Sequence, residues 1–395
     1  MRQAKAILAG TIFTPTERID DGVILIQGHR IHKVGRKSEV KVPSGVPVVD
    51  NRDRVVVPGF IDMHIHGAAG HDLMEGTAEA VSAVANYLAR HGTTSFLATT
   101  ATASIDRTLH AAQKLGEIIK ASHRSHGAGD KVAGAQPVGI HLEGPFINVK
   151  KRGAHPASQV RKPSIPLLEK FLSAAGGSVR VLTLAPELDG ALAVLEFARS
   201  KGLRVGIGHS NATYEEAERS IAAGATHAAH IYNAMRPFLH RDPGIIGAVL
   251  TDNRVSAELI CDGIHVDRSA IQLLVLSKGI ERLLLVTDSL SGAGMPDGNY
   301  RLGNFTVHVA GGVCRTVEGN LAGSTVTLDA AVRNLVSFTG LSYEQCLPAA
   351  TLNPARILGL EKQKGVIAPG ADADLAVLDR SFYVTQTYVR GRPAL

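Results

Sequence analysis

The stretch Val55-Val56-Val57-Pro58-Gly59-Phe60-Ile61-Asp62-Met63-His64-Ile65-His66 reads as one apolar run of strand length, Val55 to Ile65, that turns polar only towards its carboxyl end. Side chains alternate faces along a strand, so Asp62, His64 and His66 point the same way. Seven further apolar runs follow: Thr94 to Thr99, Pro137 to Leu142, Val179 to Leu184, Arg204 to Gly208, Thr226 to Ile231, Val255 to Ile260 and Arg282 to Thr287. Between them the hydrophobic period lengthens to that of helices, as in Thr77 to Arg90, Ile105 to Ile119, Leu188 to Ser200 and Tyr214 to Ala223. Strands alternating with helices give an α/β fold with a parallel sheet, and eight of them close into a TIM-like (β/α)8 barrel.

Outside this pattern the texture changes. Short β-type runs (Ala6 to Phe13, Gly22 to Gln27, Arg30 to Gly35) alternate with turn residues before the barrel, and Gly365 to Asp379 and Phe382 to Val389 repeat that texture after it. The expected organisation is a small β-sandwich domain made from both chain ends, residues 1–55 plus 362–395, around a barrel over 56–361. A hairpin, Asn299 to Thr316, is expected after the eighth strand.

Composition bounds the function. The chain has 395 residues, 45% hydrophobic and 20% charged, enough to fill a large core. No apolar run approaches the ~18 residues of a membrane span, and the amino terminus lacks the apolar run of a signal peptide. Three widely spaced cysteines, Cys261, Cys314 and Cys346, form no disulfide framework and point to a reducing compartment, so a cytoplasmic location is expected. The net charge of +6 is scattered. One basic patch, Lys150, Lys151, Arg152, Arg161 and Lys162, reads first as a solvated loop and second as a loop near an anionic small molecule. No nucleic-acid-binding motif accompanies it, so neither nucleic acid nor membrane is an expected partner.

The chemistry lies at the carboxyl ends of the strands. The third ends His141-Leu142-Glu143, the fifth at His209, the sixth contains His227 and His230, the seventh precedes Asp262 and His265, and the eighth ends at Asp288. Singly, each has a plain explanation as a cap, a turn residue or a solvated histidine. Jointly they converge, because all barrel strands open their carboxyl ends onto one mouth. Burying four histidines and two carboxylates together costs several kcal/mol unless a cation compensates. Imidazole with carboxylate suits one or two divalent ions of zinc, iron, cobalt or manganese. A cation with an open coordination position lowers the pKa of a bound water from 15.7 to about 7, so the expected reaction class is metal-assisted hydrolysis.

The His64-x-His66 pair after Pro58-Gly59-Phe60-Ile61-Asp62 resembles the opening of the amidohydrolase superfamily. His141-Leu142-Glu143-Gly144-Pro145-Phe146, Gly153-Ala154-His155, Gly208-His209-Ser210, His230-Ile231-Tyr232-Asn233-Ala234-Met235, Arg241-Asp242-Pro243-Gly244, Asp262-Gly263-Ile264-His265 and Thr287-Asp288 together resemble its N-acetylglucosamine-6-phosphate deacetylase family, over essentially the whole chain. The resemblance implies that Glu143, His209 and His230 bind one metal, and that His64 and His66, with Glu143 and Asp288, bind a second. It implies Asp288 as the proton shuttle and His265 as the stabiliser of the developing oxyanion. Arg241, with backbone amides around Asn233 and Ala234, would hold the phosphate of an amino-sugar substrate. That arginine would come from the neighbouring subunit, which implies a homodimer. His155 is placed either on a loop lining the sugar or on the surface, and His141 as barrel filling, support or substrate contact. Only the resemblance selects His230 over His227.

Rival readings are a deacetylase of N-acetylgalactosamine 6-phosphate, a deaminase or cyclic amidase on the same architecture, and a barrel that has lost catalysis and serves in binding.

Overall fold

The computed structural model describes residues 4–14, 16–124, 134–303 and 305–394. Eight strands form one parallel sheet: Phe60–Ile65, Thr93–Thr100, Gln136–Glu143, Val179–Leu184, Arg204–Ile207, His227–Ala228, Ser256–Ile260 and Leu283–Val286. They lie side by side in chain order. The eighth meets the first again: the Asp288 N–H donates to the His64 carbonyl at 2.8 Å, and the Thr287 hydroxyl donates to Asp62 at 2.6 Å. Asp62, wholly buried, thus ties the ends of the sheet together, and burial lifts its carboxyl to about 7 against the hydrogen bonds from Thr287 and His64.

Helices cover the outside because their apolar stripes match the strands' outer faces. Val84, Leu88, Leu195 and Ile271 on helices share one core with Phe60, Phe96, Leu142 and Leu182 on strands. Caps mark the helix starts. The Thr77 side chain accepts from Ala80 N before helix Ala78–Arg90, and Thr213 and Glu216 form a reciprocal capping box before Tyr214–Ala222.

The first expected strand is two. Val48–Pro58 belongs to the sheet of the chain ends, and Phe60–Ile65 begins the barrel. The break is Gly59, where an added Cβ would lie 2.2 Å from the Thr94 side chain, so only glycine allows the two elements so close.

Both chain ends enter a single seven-stranded sheet, in the order Arg392–Pro393, Val384–Val389, Leu375–Leu378, Val48–Pro58, Ala4–Phe13, Arg18–Gln27 and Arg30–Arg36. Its edge curls back on the C-terminal segment, since Ile31 N donates to Ala371 O and Gly370 N to Ile31 O. Ile7, Ile24, Ile26, Val377 and Tyr388 therefore share one core, the filling of the expected small sandwich. The expected hairpin is a three-stranded sheet, Gly298–Leu302, Phe305–Ala310 and Val313–Thr316.

Candidate metal centre and substrate cleft

Glu143, the last residue of the third barrel strand, is the hub. Its Oε1 lies 3.2 Å from His64 Nε2 and 3.1 Å from both His209 Nε2 and His230 Nε2. Its Oε2 lies 3.2 Å from His66 Nε2 and 3.1 Å from His155 Nε2. Asp288 Oδ1 stands 3.2 Å from His66 Nε2 and 3.6 Å from His64 Nε2. Three overlapping groups could each hold a metal ion: His64, His66 and Asp288; His64, Glu143 and His230; and Glu143, His155 and His209. His155 is 4% exposed, which places it in the cluster and not on the surface.

The donor chemistry fits a cation. His209 Nδ1 lies 2.9 Å from the Lys151 carbonyl, which can only accept, so Nδ1 carries a proton and the singly protonated ring would present its lone pair at Nε2. That lone pair faces Glu143 Oε1, and His230 Nε2 is 3.0 Å away. Lone pairs gathered so closely repel unless positive charge lies among them. Tetrahedral donors ~2.0–2.2 Å from one ion stand ~3.3 Å apart, close to these separations. His66 Nδ1 and His230 Nδ1 are buried without hydrogen-bond partners, so among the described residues the polar contacts of those rings are made through Nε2.

Electrostatics agree. Burial opposes charge on His64 and His66, yet the Glu143 and Asp288 carboxylates outweigh it, raising His64 well above the usual imidazole range and His66 to about 9. Burial likewise pushes the carboxyls up, but the histidines hold Asp288 down at about 2 and Glu143 well below its usual range. Without a metal, the cluster draws protons to supply the positive charge it is built around.

The backbone is strained where these residues sit. Nine described non-glycine residues have positive φ, and five of them, His209 (48°), His230 (26°), Tyr232 (74°), Ala234 (53°) and Asp288 (46°), lie at this mouth. Such conformations cost roughly 1–3 kcal/mol each and persist where the surroundings impose them. They also explain why the sixth strand is only His227–Ala228: the chain leaves extended geometry to aim His230 at Glu143.

A cavity of 560 Å³ opens over the cluster, lined by His66, Glu143, His155, His209, His230, His265 and Asp288 together with Asn233, Ala234 and residues 149–154. His265 Nδ1 is 2.6 Å from Asp262 Oδ2, and Asp262 also accepts the His265 N–H, which leaves Nε2 as the nitrogen available to the cleft. The basic patch divides. Lys150, Lys151 and Arg152 line the cleft, while Arg161 folds back onto the Ser158 and Val160 carbonyls. Arg241 is exposed on a loop and is not among the residues lining its own chain's cleft.

His141 is buried between Thr183 (2.8 Å) and Thr99 (3.3 Å), away from the cleft, so it fills the barrel beneath His64. His227 faces not Glu143 but Glu258, a buried carboxylate of the seventh strand that the sequence reading passed over. Its signal was available: an acid in mid-strand, flanked by Ala257 and Leu259. Glu187 was also missed. It accepts from Asn148, Ser210 and Asn211 and so joins the loops after the third and fifth strands.

Residues 55–394 match the model of the amidohydrolase family. N-acetylgalactosamine-6-phosphate deacetylase of Escherichia coli O157:H7 is 39% identical over 89% of this chain and 91% of its own. N-acetylglucosamine-6-phosphate deacetylase of Bacillus subtilis (strain 168) is 35% identical over 97% and 95%. The structure of a mutant N-acetyl-D-glucosamine-6-phosphate deacetylase from Mycobacterium smegmatis, in complex with N-acetyl-D-glucosamine-6-phosphate, superposes with a TM-score of 0.90 at 34% identity over the full length of both chains. The chain belongs to the amidohydrolase family, and its resemblance within that family is to the N-acetylglucosamine-6-phosphate deacetylases.

Proposed function

We propose that the protein hydrolyses the acetamide of N-acetylglucosamine 6-phosphate to acetate and glucosamine 6-phosphate. One observation carries this reading: a single carboxylate, Glu143, within 3.2 Å of five histidine nitrogens at the floor of a cleft. Glu143, His209 and His230 would hold one divalent cation, and His64, His66 and Asp288, beside Glu143, a second. A cation there supplies Lewis-acid polarisation of the amide carbonyl and a water acidic enough to attack at neutral pH.

The chain's own residues do the rest. Asp288, held as a carboxylate, takes the proton of the attacking water and returns it to the sugar nitrogen, since an amine leaves poorly unless protonated. His265, oriented by Asp262 at Nδ1, would donate an Nε2–H to the carbonyl oxygen as it gains charge, which requires the ring in its imidazolium form; a preorganised donor of this kind is worth roughly 3–4 kcal/mol. Asn233 and Ala234 line the same cleft and would fix the phosphate end. Arg241, exposed and not among the residues lining its own cleft, would serve a second copy's cleft, where its planar fork matches phosphate oxygens. The working unit is then a homodimer. A phosphorylated sugar does not cross membranes freely, so the enzyme belongs in the cytoplasm; among the described residues no helix is long and apolar enough to cross a membrane.

The 39% identity to a relative named for the galactosamine epimer supports a second reading, N-acetylgalactosamine 6-phosphate as substrate. Acetate release measured on both epimers, with and without the 6-phosphate, separates them. Preference for phosphorylated N-acetylglucosamine is expected. Faster turnover of the galactosamine epimer would transfer the assignment, and ammonia release or indifference to phosphate would overturn both.

A further inference from the structure

Glu258, wholly buried in the seventh barrel strand, lies beneath the cleft and outside the donor set described above. Its Oε2 is 3.0 Å from His64 Nδ1 and accepts the His230 N–H at 3.2 Å, and its Oε1 is 3.3 Å from His227 Nε2. One carboxylate therefore braces the ring of His64, which belongs to two of the candidate metal groups, and the strained main chain, φ 26°, of His230, which shares one of them.

The hydrogen bond fixes chemistry as well as place. A neutral imidazole carries one proton, so donation of Nδ1–H to Glu258 leaves the His64 lone pair on Nε2, the atom that faces Glu143 and Asp288. The other tautomer would set two lone pairs against each other at 3.0 Å and close Nε2 to a metal. His141 packs at a right angle against the same ring, 4.6 Å between centroids, within the fully buried surroundings of His64.

We infer that Glu258 is a positioning residue that sets the tautomer of His64 and thereby the affinity of the cation position formed by His64, His66 and Asp288. This inference rests on the metal-dependent reading above. A carboxylate behind a ligating histidine raises the ligand's basicity, and loss of such a partner typically lowers metal affinity roughly 10- to 100-fold.

The test is zinc stoichiometry and affinity of the full-length protein by competition with a chromophoric chelator. Wild type is expected to take up two equivalents. Glu258→Met, which removes the acceptor, should weaken the equivalent held by His64 roughly 10- to 100-fold, and the other, which loses only the hydrogen bond to the His230 main chain, by a clearly smaller factor. Glu258→Gln, which keeps an acceptor oxygen, should recover most of the loss. Equal weakening of both equivalents, two wild-type affinities in Glu258→Met, a Gln variant as defective as the Met variant, or a wild type that binds a single equivalent would each overturn the inference. A wild type that binds no cation would overturn the metal reading itself. Should Glu258→Met fail to fold, nitrogen-15 spectra of histidine-labelled, zinc-loaded wild type decide: the His64 ring must carry its proton on Nδ1, and a proton on Nε2 would refute the assignment.

Discussion

Glu143→Gln keeps the shape of the hub and removes its charge. The size of the effect can be worked from His66, whose pKa rises from 6.5 to about 9 despite burial. That rise corresponds to about 3 kcal/mol in favour of one positive charge at that point. Glu143 and Asp288 both contact His66 at 3.2 Å and together must also offset the opposing effect of burial, so each supplies at least about half of that net gain. For an ion of charge two, loss of one carboxylate then costs about 3 kcal/mol, roughly a hundredfold in Kd. This is a lower bound, because the variant also replaces an anionic ligand with a weakly donating amide. Apparent Kd for zinc, measured by competition against a chromophoric chelator, should rise at least that much, with acetate release falling in parallel. A Glu143→Gln protein that binds zinc as tightly as wild type would show that the five histidines do not gather around Glu143 in order to share a cation, and the reasoning would fail at its first step.

Asp288→Asn should still bind the phosphorylated substrate yet lose about 10²- to 10⁴-fold in kcat, read by steady-state acetate release; near-normal turnover would remove Asp288 as the proton carrier. Arg241→Ala should raise KM for the phosphorylated sugar and leave kcat within a few-fold, and an unchanged KM would exclude it from phosphate binding. Metal uptake should depend on pH with a defined sign. His66, raised to about 9 in the metal-free protein, is largely protonated at pH 7.5 and must release its proton to bind a cation, and His64 is raised in the same direction by the same carboxylates. Calorimetry in buffers of differing ionisation enthalpy should detect proton release on metal uptake, about one proton from His66 alone, with affinity climbing as pH rises towards 9; uptake without proton release would contradict this picture.

Much of the architecture was legible because barrel strands buried on both faces read as apolar runs, and the fourth, Val179–Leu184, has the bounds its sequence predicts. The run Val55 to Ile65 misled because hydrophobicity is continuous across Gly59, and what divides it is the close approach of Thr94, a tertiary fact. Thr226 to Ile231 shrank to two residues for a related reason: the left-handed turns at His230 and Tyr232 leave no mark in an apolar pattern. The strand-end residues group together through convergence on one mouth, with only the family resemblance selecting His230 over His227, and Glu143, His209, His230, His64, His66 and Asp288 do meet there. Glu258 escapes a reading of strand carboxyl ends because it acts from mid-strand, inside the barrel. His155 could not be assigned because it comes from a loop, whose path is set by contacts such as that of Arg152 with the His155 carbonyl and not by periodicity.

The most direct test is crystallographic. Crystals of the protein purified without chelators, with diffraction recorded at X-ray energies on either side of the absorption edges of zinc, iron, cobalt and manganese, should show an anomalous peak about 2.0–2.2 Å from Glu143, His209 and His230. Featureless density among those side chains, in protein that still releases acetate from N-acetylglucosamine 6-phosphate, would contradict the account.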